Sequence, residues 1–226
     1  MASFDATAPV RISPGSGRSH RLLTPLLGRR AGSILSRGLL VTLFAVFAWA
    51  NFSHWRSTGA PSGLGTTLLE GWAAVLFLVR RVPEELSLRP LAWLAAPIGS
   101  FAMLLARPTD GGFLNLPCEL VQLAGLLIAL ASLGTLGRSF GIVAANRGVK
   151  TRGPYRLVRH PAYLGYFISY LGYVAENPSV VNVTLLCLST AFQLVRINEE
   201  EQLLSDDSSY QSYRASVRYR LIPRLY

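Results

Sequence analysis

Six apolar runs, near residues 38–54, 64–79, 90–106, 116–137, 162–176 and 179–196, divide this chain into alternating greasy and polar stretches. Each holds roughly 15 to 22 residues, close to the ~20 that an α-helix needs to cross a bilayer. Charged residues make up 15% of the 226, against about 25% in a soluble domain of ordinary composition. Half of the residues are hydrophobic. The expectation is an all-α fold: a polytopic membrane helical bundle of about six transmembrane helices, built as one integrated unit.

The cations test that count. The net charge is +10, almost all of it from arginine, with Lys150 the only lysine. In a soluble chain such a balance would suit nucleic acid. Here the cations fall between the apolar runs, where the positive-inside bias places them, so no nucleic-acid partner is expected. The segment before residue 38 carries six arginines, the first connection only Arg56, and the second Arg80, Arg81 and Arg89. The third has Arg107, the fourth has six cations between Arg138 and Arg159, and the fifth has none. Arg214, Arg218, Arg220 and Arg224 follow the last run. High and low alternate, which puts both termini on the cytoplasmic side.

Residues 1–37, rich in Ser, Gly, Pro and Arg, read as a disordered basic tail, although a transit peptide has similar composition. No cleaved secretory signal is expected. Residues 38–115 then hold the first three helices, and 116–226 a core with a polar loop and a C-terminal segment. In that segment Tyr210, Tyr213, Val217 and Leu221 recur at helical spacing among arginines, as in an amphipathic helix lying on an anionic membrane surface. Cys118 and Cys187 lie far apart, and His20, His54 and His160 are scattered, so neither a disulfide framework nor a metal centre is expected.

The turn dipeptide Asn177-Pro178 joins the last two apolar runs. Arms of about 15 and 18 residues climb roughly 22–27 Å each and return the chain to the height at which it began. Arg196-Ile197-Asn198-Glu199-Glu200-Glu201 should therefore stand level with Arg159-His160-Pro161. Pro161 suits a first helical position, and a helix start offers free N–H groups and a positive dipole end. Gly153 allows a tight turn close to a ligand. On the helix that follows, Tyr163, Tyr166, Tyr170 and Tyr173 span about 80° of the circumference. The first two are candidates to line a cavity, and Tyr173 reads as packing. Gly165, Ser169 and Gly172 form a separate small-residue face of the kind on which membrane helices pack closely.

Arg196 ends an apolar run and is a ready bidentate clamp for a carboxylate. Glu200 shares its helical face, four residues on, while Glu199 reads as part of a solvated collar. Glu70 and Glu119, inside or beside apolar runs, either mark a polar path or are paired.

The pattern G-P-Y-x-x-x-R-H-P-x-Y-x-G, on Gly153, Pro154, Tyr155, Arg159, His160, Pro161, Tyr163 and Gly165, is followed by Arg196, Ile197, Glu200 and Glu201. Together these resemble the isoprenylcysteine carboxyl methyltransferases and related phospholipid methyltransferases, over roughly residues 120–226. The resemblance implies an integral membrane enzyme that uses S-adenosylmethionine; the alternation of cations puts its active site on the cytoplasmic side, and the scarcity of lysine beside 21 arginines points to a bacterial inner membrane. It implies cofactor contacts from Gly153, Tyr155, Arg159, His160, Pro161, Tyr163, Glu200 and Glu201, with Arg196 and Glu200 at the reacting centre. Tyr166 and Tyr170 would line the substrate. The acceptor is lipophilic, with a carboxylate favoured over the amine of a phospholipid N-methyltransferase. Asp206-Asp207-Ser208-Ser209 stands where the family carries a Phe-Gly pair, which bears on the lipid entrance. The tail Tyr219–Tyr226 is also similar to that of NADPH-dependent membrane sterol reductases, an alternative opposed by the three glutamates after Arg196. A non-catalytic membrane protein is the other alternative, and oligomeric state is left open.

Overall fold

A computed structural model describes residues 29–81, 83, 85–109 and 115–226. The helices are α1 (Arg29–Thr58), α2 (Pro61–Val79), α3 (Pro90–Phe101), α4 (Leu116–Leu136), α5 (Pro161–Glu176), α6 (Val180–Leu203) and α7 (Ser208–Ser216). A 3₁₀ turn, Ala102–Leu105, prolongs α3. Each of the six apolar runs is helical. Four helical stretches are long and apolar enough to cross a membrane: Leu35–Thr58, Pro61–Val79, Leu116–Ser139 and Val180–Leu203. Pro90–Leu105 and the 16 residues of α5 are shorter. The protein is thus a helical membrane protein with four helices of spanning length among the described residues.

Proline marks the first turn of α2, α3, α4 and α5, where its missing N–H costs nothing. Gly137 closes α4 with φ +51°, a conformation that a side chain would strain. Three expectations need amending. Residues 29–37 belong to α1, so the irregular tail does not reach residue 37, and residues 1–28 lie outside the described ones. The fold is not purely α: β1 (Glu85–Leu86) and β2 (Ala145–Asn146) pair antiparallel. The third concerns the C-terminal segment. Its helix has only nine residues, and Tyr210, Tyr213 and Val217 pack on Tyr155 rather than forming a long stripe to Leu221. Beyond the helix, Arg159 Nη1 donates to the Val217 and Arg218 carbonyls at 3.0 and 2.8 Å.

α4 and α5 meet backbone to backbone. A Cβ on Gly165 would sit 2.6 Å from the Ala129 nitrogen, and one on Gly125 2.3 Å from that of Ser169. At Gly172 it would meet the Cys118 carbonyl at 2.8 Å. The small face Gly165–Ser169–Gly172 is therefore what brings α5 onto α4, and it turns the tyrosine stripe away from that contact.

Ser179 caps α6, its hydroxyl accepting from the Asn182 N–H at 3.0 Å. Asn182 is fully buried and ties this hairpin to the end of α3. Its Nδ2 donates to the Arg107 and Asn177 carbonyls at 2.8 Å each, and its Oδ1 accepts from the Arg107 N–H at 3.1 Å. Asn182→Leu leaves these backbone groups without partners, so a loss of about 1–3 kcal/mol is expected, read as a lower melting temperature of the detergent-purified protein.

Candidate functional site

The hairpin brings Glu200 and Glu201, adjacent in α6, against the start of α5. They have different surroundings. Glu201 is buried among two guanidinium groups and an imidazole: Arg159 Nε at 2.8 Å, His160 Nε2 at 3.1 Å, and Arg220 Nε and Nη2 at 3.0 and 2.9 Å. The backbone N–H groups of Arg159 and His160 donate to the Tyr219 and Arg220 carbonyls at 2.9 and 2.8 Å. Those two amides, at the N-cap and just before it, are thus paired within the protein. With Nε2 engaged by Glu201, the imidazole presents Nδ1 to Glu200, 3.8 Å away.

Glu200 faces a chamber of about 540 Å³, a size within the usual range for small-molecule sites. Its carboxylate accepts the hydroxyl of Tyr163 and lies 3.9 Å from Arg196 Nη2. The rings of Tyr163 and His160 stack with centroids 5.7 Å apart, and the Arg196 guanidinium lies 4.9 Å from the Tyr163 centroid. Tyr163 thus sits among an imidazole, a guanidinium and a carboxylate. Of the residues named from sequence, Tyr155, Arg159, His160, Tyr163, Tyr166, Tyr170, Arg196 and Glu200 line the chamber. Tyr173 lines it too, although packing was expected there.

Gly153, Pro161 and Glu201 do not line it. Gly153 has φ +58° and its α-carbon abuts Thr135, which makes it a turn residue packed on α4. Pro161 is buried inside the first turn of α5. Glu201 lies behind the wall and holds the residues that form it. Glu199 departs from its expected place in a solvated collar: it is buried and paired at 3.2 Å with Arg89, from the connection between α2 and α3. Glu119 is likewise paired, with the Ser62 N–H and with Gln122.

Arg196 is more committed than a free clamp would be. Nη1 donates to Ser100 at 2.8 Å and Gln193 at 3.2 Å, and Nη2 to the Ile142 carbonyl at 2.8 Å. Two further cations line the chamber from the connection between α4 and α5, Arg147 and Lys150. Burial pushes Arg147 down to about 10, helped by the charge of Arg80, and its Nε is buried without a partner. Sequence reasoning counted both as topology signals and missed them as site residues; their only mark was membership of the six-cation loop. The chamber walls are otherwise largely apolar, with Phe44 and Phe47 from α1, Leu69 and Ala73 from α2, and Leu126 from α4.

Such a chamber can hold a polar, zwitterionic molecule beside Arg147, Glu200 and the tyrosine rings, with a hydrocarbon chain along its walls. A search of curated proteins finds no match to the chain. Residues 114–209, comprising α4, the His160 loop and the α5–α6 hairpin as far as the start of α7, match the family model described as phospholipid methyltransferase. Over that stretch the chain is similar to the phospholipid methyltransferase family, in line with the resemblance carried by Gly153–Gly165 and Arg196–Glu201.

Proposed function

We propose that the protein transfers a methyl group from S-adenosylmethionine to a lipophilic acceptor within this chamber. The observation that carries the proposal is the cluster of Glu200, Tyr163, His160 and Arg196 opening into a largely apolar cavity. The lining residues fit the cofactor. Arg147, with its unpartnered Nε, and Lys150 suit a carboxylate. The rings of Tyr155 and Tyr163 and the charge of Glu200 suit an ammonium or a sulfonium. S-adenosylmethionine supplies an electrophilic methyl carbon, open to in-line displacement by a nucleophile on the acceptor.

The protein's own contribution is then positioning and electrostatics. Glu201 fixes the His160 ring through Nε2, and the Tyr163 hydroxyl fixes the Glu200 carboxylate. Apolar walls seat the acceptor chain and exclude water around the nucleophile. A carboxylate acceptor needs no base. An amine must lose a proton, and Glu200 is the group placed to take it. The carboxylate preference rested on Arg196 as a clamp; with Ser100, Gln193 and Ile142 occupying its donors, the amine gains ground. The six-cation loop supports a cytoplasmic position for the polar end of the chamber.

Incubating the purified protein with methyl-labelled S-adenosylmethionine and a total lipid extract tests the proposal. Label entering the lipid fraction supports it, and base treatment then separates esters, which release label, from N-methyl products, which keep it. An absence of both label transfer and cofactor binding overturns it. Arg147→Met is expected to weaken cofactor binding about tenfold in a calorimetric titration, the loss of roughly one charged hydrogen bond.

A further inference from the structure

Glu70 and Asn51 are not used by the chemistry above, yet both line the same chamber. They come from α2 and α1, outside the stretch that carries the family pattern. Glu70 lies about midway along a helix of spanning length and is 6% exposed. A carboxyl group there is costly unless something engages it. Asn51 Nδ2 donates to Glu70 Oε2 at 3.0 Å. Among the described residues, no donor is paired with Glu70 Oε1 or from a side chain with the Asn51 carbonyl oxygen. Two acceptor oxygens thus remain in a mostly apolar chamber wall.

The tyrosine stripe sets the scale. Gly65 packs on Leu126, where α2 runs along α4, and Gly125 on Ser169, where α4 meets α5, which puts Glu70 level with the Tyr166–Tyr170 part of the stripe in the chamber they all line. Tyr170 follows Tyr163, the partner of Glu200, by seven residues, or about 10 Å along α5. Tyr166 and Tyr170 stack between these two levels, with centroids 6.3 Å apart. The chamber therefore has two polar stations separated by roughly two helical turns.

We infer that Glu70 and Asn51 form a specificity site for a hydrogen-bond-donating group, a hydroxyl or N–H, carried on the body of the acceptor about 10 Å from the atom that is methylated. The substrate class is then an amphiphile with a second polar group part-way along its chain. A plain prenyl or fatty chain would leave the Glu70 carboxyl group desolvated and unanswered, so the pair selects against it. The inference rests on the transferase reading for the head-group end of the acceptor. The Glu70 station itself has a readout that needs no turnover.

The test compares probes that differ only in a distal hydroxyl, each titrated into the full-length protein in lipid nanodiscs: decanoic acid against 10-hydroxydecanoic acid, and decylamine against 10-aminodecan-1-ol. In at least one pair, the wild type is expected to bind the hydroxylated member about tenfold more tightly, although that member is the less hydrophobic. Glu70→Leu should abolish the preference, and Glu70→Gln, which keeps the shape and the Asn51 contact, should reduce it at least threefold. S-adenosylmethionine binding should be the same in all three proteins. A wild type that prefers the plain chain, or equal preference in all three proteins, overturns the inference. Failure of S-adenosylmethionine to bind the wild type overturns the transferase reading instead, and leaves the hydroxyl preference to be judged by its own titration.

Discussion

Glu201→Leu is expected to lower the apparent melting temperature of the detergent-purified protein by about 10 °C or more. The reason is the company the side chain keeps. Arg159 is 7% exposed, and its guanidinium divides its donors between Glu201 and the Val217 and Arg218 carbonyls. Removing the carboxylate leaves a buried guanidinium without its counter-ion, a loss of about 3–5 kcal/mol when one partner of a buried pair is deleted. In a chain of this length each kcal/mol shifts melting by roughly 2–4 °C. Arg220 and the His160 ring lose their partner at the same time. Arg220 is freed, and with it the C-terminal segment whose carbonyls pair with the Arg159 and His160 amides. The double replacement Glu201→Leu with Arg159→Met should recover part of the loss, because an apolar pair in a buried site is tolerated where a lone charge is not. An unchanged melting temperature for the single variant would mean that this network carries no weight in the fold.

The contrast between Glu201 and its neighbours shows what could be read from the sequence. Six apolar runs and the alternation of cations identified a helical membrane bundle, because hydrophobicity over a whole helix is a property of composition. The small face of Gly165, Ser169 and Gly172 was legible for the same reason: periodicity alone sorts residues onto faces. Partners from remote segments were not legible. Three consecutive glutamates look alike in sequence, yet one meets Arg89 from the α2–α3 connection, one the chamber, and one the Arg159–His160–Arg220 set. A stripe such as Tyr210–Tyr213–Val217 announces an apolar face but not whether lipid or Tyr155 covers it. Arg147 was hidden by a different ambiguity. A cation in a loop satisfies the topology rule whether it meets water or a cavity, and only its unpartnered Nε on the chamber wall separates the two.

Glu200→Gln should give the opposite outcome to Glu201→Leu: turnover reduced about 100-fold or more with little change in melting temperature. Glu200 is the more open of the two, its side chain 24% exposed, and the His160 ring and the Arg196 guanidinium stand off at 3.8 and 3.9 Å. Glutamine keeps an oxygen to accept the Tyr163 hydroxyl, so the wall of the chamber is retained. What disappears is the negative charge at the reacting end, and with it either a proton acceptor for an amine or a stabilising field for the positive charge that passes with the methyl group from the sulfonium to the acceptor, leaving a neutral thioether. Positioned acid–base groups and preorganised charges are each worth about 10²–10³-fold in rate. Tyr163→Phe is the companion variant. It removes the hydroxyl that holds Glu200 while leaving the ring between His160 and Arg196, so a smaller loss, about tenfold, is expected without loss of cofactor affinity. Measuring label transfer, S-adenosylmethionine affinity and melting on the same preparations separates the possible roles. If Glu200→Gln lowers melting as far as Glu201→Leu does, Glu200 belongs to the scaffold. If turnover survives the substitution, the charge beside Tyr163 does not take part in methyl transfer, and the reacting end of the chamber must lie nearer the Arg147 wall.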